Sequence, residues 1–197
     1  YADNAKYYLG YIAYDSDDYA KAESYFREVQ DDATLSKNVS YFQANMYFKQ
    51  ALYDEAIEEG QKQLAKTKSA QEVSELNKII GESYFNQKKY KEAIPYLEKY
   101  KGKKGKFSNT DYYYLGYAFY KNNDYKAAIE QFNKIVGGND NVAQNAYYHL
   151  AECYLKTDQK QQALNAFRNA SQMDFDKQIK KDAHLNYARL SYEIGHP

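Results

Sequence analysis

The sequence predicts an all-α protein in which antiparallel helix pairs stack in a row as a solenoid. One pattern of small and aromatic residues returns about every 35 residues, apolar residues recur at helical steps within each half of it, and polar segments interrupt every copy at the same place. The composition is that of a folded chain, because 44% of the 197 residues are hydrophobic and only two are proline. It excludes a disordered or collagen-like protein.

A pair of residues, usually a large one followed by a small one, aligns six copies of the repeat. Successive pairs are 34, 37, 35, 35 and 37 residues apart. The pairs are Leu9-Gly10, Gln43-Ala44, Ile80-Gly81, Leu115-Gly116, Leu150-Ala151 and Tyr187-Ala188. Five copies carry an alanine thirteen residues after the first member of the pair, at Ala22, Ala56, Ala93, Ala128 and Ala163.

Each copy is predicted to form two amphipathic helices. Apolar residues three and four positions apart, such as Ala22, Phe26 and Val29, lie on one helical face. The small residues let the two helices approach closely, while the larger ones fill the space towards the next copy. One helix pair cannot bury both of its faces, so the copies are expected to stack.

Short polar segments separate the two predicted helices of each complete copy. They are too short for any but an antiparallel arrangement. These segments are 15–18, 49–51, 86–89, 121–124 and 156–159.

The repeated pattern, which reads YYxLGYxxYxxxDYxxAxxxF around Leu115-Gly116, resembles the tetratricopeptide repeat (TPR) family over nearly the whole chain. The resemblance implies a right-handed α-solenoid of about five and a half repeats in a single domain, 1–197. It also implies a protein-protein interaction scaffold with no enzymatic activity and no cofactor. The predicted repeats are 3–36, 37–71, 74–107, 109–142, 144–178 and a partial 181–197.

In this family the first helix of each repeat lines a concave groove, which indicates where a partner would bind. The positions two before, two after and five after the first member of the aligned pair usually face that groove. Here they are Tyr7, Tyr11 and Tyr14; Tyr41, Asn45 and Phe48; Lys78, Glu82 and Phe85; Tyr113, Tyr117 and Tyr120; Tyr148, Glu152 and Leu155; Leu185, Arg189 and Tyr192.

A tyrosine-lined groove suits a peptide or a partner helix, because each ring offers a large contact area and one hydroxyl. Three alternatives stay open: a carbohydrate or cell-wall binding module that stacks tyrosines on sugars, a docking module for an enzyme elsewhere in a longer chain, and tyrosines that only pack against the neighbouring helix. Under the groove hypothesis, Tyr113 and Tyr117 are expected at the surface, so that replacing both by alanine leaves melting nearly unchanged.

The charges argue against a nucleic-acid or membrane partner. Lys plus Arg equals Asp plus Glu at 27 each, so no net field steers the chain to an anionic surface. The longest mainly apolar run, 112–120, is about half of the ~20 residues that a membrane-spanning helix needs. The lysine-rich segment 99–106 is interpreted as a solvated loop.

Catalytic and metal-binding motifs are not found in the sequence. The sharpest metal candidate is His149 with Cys153, joined by His184 of the next copy as a third ligand, but Cys153 falls at an apolar packing position, so no metal site is expected. The family's clamp for a terminal carboxylate, a lysine and an asparagine on successive groove-facing turns, is also missing, since Lys78 is followed by Glu82 and Asn45 is preceded by Tyr41.

The start at Tyr1 and the end at Pro197 suggest a fragment of a longer or processed chain. The tyrosine-rich repeats resemble the bacterial branch of the family, including cell-envelope members. This favours the envelope or periplasm over the cytoplasm, while the compartment and the oligomeric state stay open.

Overall fold

The described part of the chain contains eleven α-helices, joined by turns and loops, and no β-strand. The computed structural model describes residues 1–135 and 137–195, with the backbone alone at Lys37. His196 and Pro197, which close the predicted partial repeat, and Val136 in the predicted fourth repeat lie outside the described residues. The helices are α1 (Ala2–Asp15), α2 (Tyr19–Arg27), α3 (Ser36–Lys49), α4 (Tyr53–Leu64), α5 (Ala70–Asn86), α6 (Tyr90–Lys99), α7 (Asn109–Lys121), α8 (Tyr125–Phe132), α9 (Asn141–Lys156), α10 (Lys160–Gln172) and α11 (Lys177–Glu193).

The helices form five antiparallel pairs followed by a single last helix, which confirms the predicted fold class. The second helix of each pair begins ten residues after the first member of the aligned residue pair, at Tyr19, Tyr53, Tyr90, Tyr125 and Lys160. The chain divides into two compact units, a first unit of residues Tyr1–Tyr100 and a second unit from Lys101 onward. Among the described residues, none of the helices is both long and apolar enough to span a lipid bilayer.

A left-handed residue ends the first helix of every copy, eight residues after the first member of the aligned pair. In the first five copies this residue is not glycine and has a φ angle of 58° to 63°. In the sixth copy it is Gly195, with a φ angle of 77°. Left-handed backbone is uncommon for residues other than glycine, so packing of the flanking helices must hold it. The five positions are Asp17, Ala51, Lys88, Asn123 and Asp158.

Small residues on the first helices lie against large residues on the second helices. A Cβ atom placed on Gly10 would come within 2.6 Å of the Phe26 ring, and one on Gly116 within 2.8 Å of the Phe132 ring. Gly60, on the second helix of the second pair, instead lies against the next pair, where Ile80 of α5 fills the space beside it. The predicted close approach of the helices is therefore present.

Gln144 is a fully buried polar residue that ties α9 to the connection between α10 and α11. Its Nε2 donates to the carbonyl oxygens of Ala170, Met173 and Asp176 at 3.2, 2.9 and 3.2 Å. Its Oε1 accepts from the backbone N–H groups of Phe175 and Asp176 at 3.1 and 2.7 Å. One side chain thus satisfies four backbone groups that no helix satisfies, and adds a second hydrogen bond to the Asp176 carbonyl, which also accepts from the N–H of Lys180 at 2.9 Å.

Candidate functional site: two equivalent aromatic clusters

Each unit begins with a helix that carries three tyrosines on one face. They stand at i, i+4 and i+7, which a helix places one above the other. In α7 the ring centroids of Tyr113 and Tyr117 are 5.7 Å apart, and those of Tyr117 and Tyr120 are 5.8 Å apart. The matching residues of α1 are Tyr7, Tyr11 and Tyr14.

In the first unit these tyrosines surround Phe42 of α3. Its ring centroid lies 6.4 Å from that of Tyr7, 5.7 Å from that of Tyr11 and 4.9 Å from that of Tyr14. On its other side Phe42 stacks on Phe26 at 5.6 Å with an interplanar angle of 11°. We refer to Tyr7, Tyr11, Tyr14, Phe26, Tyr41 and Phe42 as the first aromatic cluster.

In the second unit His149 of α9 takes the place of Phe42. Its ring centroid lies 6.4 Å from that of Tyr113, 5.0 Å from that of Tyr117 and 5.1 Å from that of Tyr120. Phe132 lies 6.5 Å away and corresponds to Phe26. We refer to Tyr113, Tyr117, Tyr120, Phe132, Tyr148 and His149 as the second aromatic cluster.

The two clusters differ in their polar neighbours. Nδ1 of His149 lies 2.8 Å from Oε2 of Glu152, and burial together with the Glu152 charge raises the pKa of Tyr120. In the first unit the residue at the position of Glu152 is Asn45, and Lys49 holds its ammonium group 4.7 Å from the ring centroid of Tyr14. The second cluster therefore contains a carboxylate that the first lacks.

Most of the predicted groove residues are only half-exposed. Tyr113 and Tyr117, expected at the surface, are half-buried and pack against the core of the second unit, so that expectation is corrected. Burial is also the main reason that the pKa values of Tyr14 and Tyr148 are raised. The other half-buried members of the predicted set are Tyr7, Tyr14, Tyr41, Asn45, Phe48, Lys78, Glu82, Phe85, Tyr120, Tyr148, Glu152 and Leu155.

Four members of the predicted set are exposed. Tyr11 keeps 43% of its surface, although its ring edge packs against Phe42. Leu185, Arg189 and Tyr192 on α11 are also exposed. These residues offer the most accessible contact area of the predicted groove.

The middle of the predicted groove, on α5, carries an ion pair rather than tyrosines. Nζ of Lys78 lies 3.8 Å from Oε1 of Glu82 and 4.9 Å from the ring centroid of Tyr100. Phe85 packs edge-on against Tyr90 at 5.3 Å. The charge of Lys78 is therefore engaged within the first unit.

Two of the residues weighed as metal ligands, His149 and Cys153, serve packing roles. Cys153 is fully buried, and burial followed by the charge of Glu152 raises the pKa of its thiol to about 12. His149 contacts Glu152, while His184 is exposed. In 1–135 and 137–195 no group of three or more His, Cys, Asp or Glu residues is arranged to hold a metal ion.

The sequence pattern missed two positions of this site. The first position immediately precedes the aligned pair and holds Phe42 and His149. The second position lies five residues before the first member of the aligned pair and holds Glu75 and Asp182. Comparing the first three copies with the last three would have found both, because equivalent residues are 106 or 107 positions apart.

Two protein-family models match different parts of the chain. The model described as tetratricopeptide repeat matches residues 7–71, and the model described as anaphase-promoting complex, cyclosome, subunit 3 matches residues 86–170. Among curated proteins, none matches the sequence significantly.

Several solved structures share the fold at low sequence identity. The chain is similar to MamA AMB-1, with a TM-score of 0.73, 20% identity, and coverage of 88% of this chain and 92% of that one. It is similar to YrrB, described as a TPR protein with an unusual peptide-binding site, with a TM-score of 0.73, 16% identity, and coverage of 91% and 90%. MamA 41-end from Desulfovibrio magneticus RS-1 gives a TM-score of 0.68, 17% identity, and coverage of 87% and 94%.

Proposed function

We propose that this chain, which belongs to the tetratricopeptide-repeat family, is a non-catalytic scaffold that binds a segment of another protein through the tyrosine-rich faces of its first helices. The observation that carries the proposal is the pair of aromatic clusters. In each cluster the tyrosines pack against neighbouring rings and every tyrosine keeps part of its surface exposed, while Phe26 and Phe132 are buried. The exposed parts form the proposed contact surface.

Half-buried tyrosines suit a recognition surface for an energetic reason. A ring already fixed by its neighbours loses little conformational freedom when a partner contacts it. Tyr14 and Tyr120 are held in this way, each lying about 5 Å, between ring centroids, from the central ring of its cluster. The packing that makes these residues part of the core therefore also fixes their exposed edges in place before a partner binds.

The first unit also has a groove large enough to hold a peptide side chain. It has a volume of about 460 Å³ and lies between α1, α3 and α5, with Tyr7, Tyr41 and Phe42 among its lining residues. The description of the similar structure YrrB as a TPR protein with a peptide-binding site supports peptide binding by this fold. The absence of an evident nucleophile and base in the sequence supports the non-catalytic part of the proposal.

Tyr11 is the best position at which to test the proposal. It is the most exposed tyrosine of the two clusters at 43%, and Tyr8, at 63%, is a matched control on the same helix. Tyr8 lies outside the predicted groove. A photoreactive phenylalanine analogue at each position, exposed to an extract of the native organism, compares the two surfaces directly.

A discrete protein crosslinked from position 11 and not from position 8 is the expected result. Equal crosslinking from both positions, or none from position 11, would refute the proposal. Crosslinking from position 11 to glycans alone would replace it by the carbohydrate-binding alternative. Replacing Tyr113 and Tyr117 by alanine is a poorer test, because both rings pack against the core.

A further inference from the structure

Resting on the proposed scaffold function, we infer that the chain has two equivalent subsites, one in each unit, and that each binds an arginine side chain of the partner protein. The first subsite is the groove between α1, α3 and α5. The second is built from the equivalent positions of α7, α9 and α11. The inference depends on the charge of the groove and on the repetition of its residues.

The first subsite has aromatic rings on one wall and carboxylates on the other. Tyr7, Tyr41 and Phe42 lie on the aromatic wall, while Glu72 and Glu75 lie on the acidic wall. The remaining lining residues are neutral and polar: Asn38, Ser69 and Gln71. Within the described residues, no basic side chain lines this groove.

Glu75 is the carboxylate left for a ligand. It lies close enough to Tyr41 that its charge contributes, after burial, to the raised pKa of that phenol. Among the side chains that the structure describes, Glu75 forms no ion pair, whereas Glu72 accepts a hydrogen bond from the hydroxyl of Thr67. The neighbouring Lys78 pairs with Glu82 instead.

Five of the eight lining residues of the first subsite recur in the second at a distance of 106 or 107 residues, whereas Phe42, Ser69 and Glu72 are exchanged for His149, Asp176 and Ile179. Four equivalent positions hold the same residue type, and the fifth keeps its carboxylate. The equivalent residues are Tyr7 and Tyr113, Asn38 and Asn145, Tyr41 and Tyr148, Gln71 and Gln178, and Glu75 and Asp182.

The carboxylate beside the outer tyrosine is repeated, while the other charges differ: Lys78 and Lys49 also act on Tyr41, and Glu152 also acts on Tyr148. Asp182 contributes, after burial and Glu152, to the raised pKa of Tyr148, as Glu75 does for Tyr41. Its carboxylate accepts from Nε2 of Gln178 at 3.0 Å and forms no ion pair with any described side chain. A second carboxylate that forms no ion pair with a described side chain therefore lies beside an outer tyrosine.

The surrounding rings keep the same spacing in both subsites. The centroid of Tyr7 lies 6.4 Å from that of Phe42, and the centroid of Tyr113 lies 6.4 Å from that of His149. The outer tyrosine, Tyr41 or Tyr148, lies 5.6 or 5.5 Å from the same central ring. The geometry is thus repeated even where Phe42 is exchanged for His149.

Arginine fits this combination better than any other side chain. Its planar guanidinium group stacks on tyrosine rings and pairs with a carboxylate through two hydrogen bonds. The amide oxygen of an asparagine, Asn38 or Asn145, can accept a further N–H. A ligand carboxylate would instead meet Glu75 or Asp182 and be repelled.

Two peptides that differ only in charge test the inference. One is acetyl-Gly-Ser-Arg-Ser-Gly-amide, and the other has citrulline, a neutral analogue of the same shape, in place of arginine. Each is titrated into the isotope-labelled full chain while backbone amide signals are followed by NMR. The arginine peptide is expected to shift signals near Tyr41 and Tyr148, and the citrulline peptide to bind at least about tenfold more weakly, which corresponds to ~1.4 kcal/mol.

Single substitutions separate the two subsites. Glu75→Gln should abolish the shifts near Tyr41 and keep those near Tyr148, and Asp182→Asn should do the reverse. Glu55→Gln and Glu130→Gln, which change exposed carboxylates elsewhere in each unit, should keep both sets. Equal binding of the citrulline peptide, or loss of both sets in either single variant, would overturn the inference.

The double variant Glu75→Gln/Asp182→Asn distinguishes this inference from the scaffold proposal. If the wild type does not bind the arginine peptide but crosslinks its partner from position 11, the subsites fail and the scaffold stands. If the wild type binds the arginine peptide but shows no specific crosslink from position 11, the scaffold proposal fails. Loss of both the peptide shifts and the crosslink in the double variant supports the two together.

Discussion

Phe42 and His149 hold the same place in two aromatic clusters that are otherwise built alike. Phe42 stacks on Phe26, whereas His149 directs Nδ1 to Oε2 of Glu152 at 2.8 Å. At the position of Glu152 the first unit has Asn45. The exchange of a benzyl ring for an imidazole is therefore accompanied by the exchange of an amide for a carboxylate.

This pairing predicts that Phe42→His destabilises the first unit unless a carboxylate is supplied. The imidazole would be surrounded by Tyr7, Tyr11 and Tyr14 without a charged partner, which is expected to cost about 1–3 kcal/mol. Adding Asn45→Glu should recover part of that loss. Chemical denaturation of the two single variants and the double variant measures the coupling, and strictly additive effects would contradict it.

The left-handed turn residues predict that Ala51→Gly stabilises the protein. Ala51 has φ of 58°, where a Cβ is strained and glycine is not, so a gain of roughly 0.5–1 kcal/mol is expected after the entropy of the unfolded chain is included. The matched control is Ala20→Gly in α2, an exposed helical position, which should lose about 1 kcal/mol. A lower melting temperature for both variants would show that the turn is not strained.

The close packing of Gly116 predicts that Gly116→Leu overpacks the pair of α7 and α8. A Cβ at this position would already lie 2.8 Å from the Phe132 ring and 3.2 Å from the Cβ of Gln131. We expect a loss of about 1–3 kcal/mol in the free energy of unfolding. Lys126→Leu, at an exposed position of α8, should change it by less than about 0.5 kcal/mol, and similar values for the two variants would refute the packing argument.

The buried phenols predict a loss of stability at alkaline pH. Burial is the main cause of the raised pKa of Tyr41, and burial together with a hydrogen bond to Asp17 raises the pKa of Tyr19 to about 12. A phenol whose folded pKa exceeds its unfolded value of 10.0 stabilises the fold fully below that pH and loses its contribution as the pH rises through the folded pKa. The free energy of unfolding should therefore fall between pH 10 and about 12.

The alkaline prediction is checked by denaturation at several pH values together with the absorbance of tyrosinate. Tyr19→Phe should remove the part of the absorbance change that titrates near pH 12 and reduce the loss of stability there. A free energy that stays constant through this range would contradict it.

The sequence predicted the helix pairs because the repeat determines them locally. A small residue such as Gly10 or Gly116 marks where two helices touch, and the alanine thirteen residues after the first member of the pair is fully buried in all five complete copies. These features depend on spacing alone, which one sequence shows in full. The exact repeat boundaries and the single domain of 1–197 stay predictions.

The candidate site was less predictable because it depends on contacts between copies. Tyr113 and Tyr117 occupy groove positions in the pattern, yet the central ring of His149 from the next first helix half-buries them. His149 was weighed as a metal ligand and set aside from the sequence alone, but its aromatic packing role follows only from its neighbours in the structure. Exposure of this kind depends on which residue the following copy supplies, and the repeat spacing does not contain that information.

The buried side chain of Gln144 provides an irregular segment with the backbone hydrogen bonds that a helix would otherwise provide. The backbone amides of Phe175 and Asp176 lie between two helices, yet both donate to its Oε1. Their protons should exchange with deuterated solvent about as slowly as those inside α10, because release requires opening of the whole α9–α11 region rather than fraying of a loop. Gln144→Leu should remove that protection and cost about 3 kcal/mol or more by leaving these groups unpaired, so that the junction becomes the first part of the second unit to open.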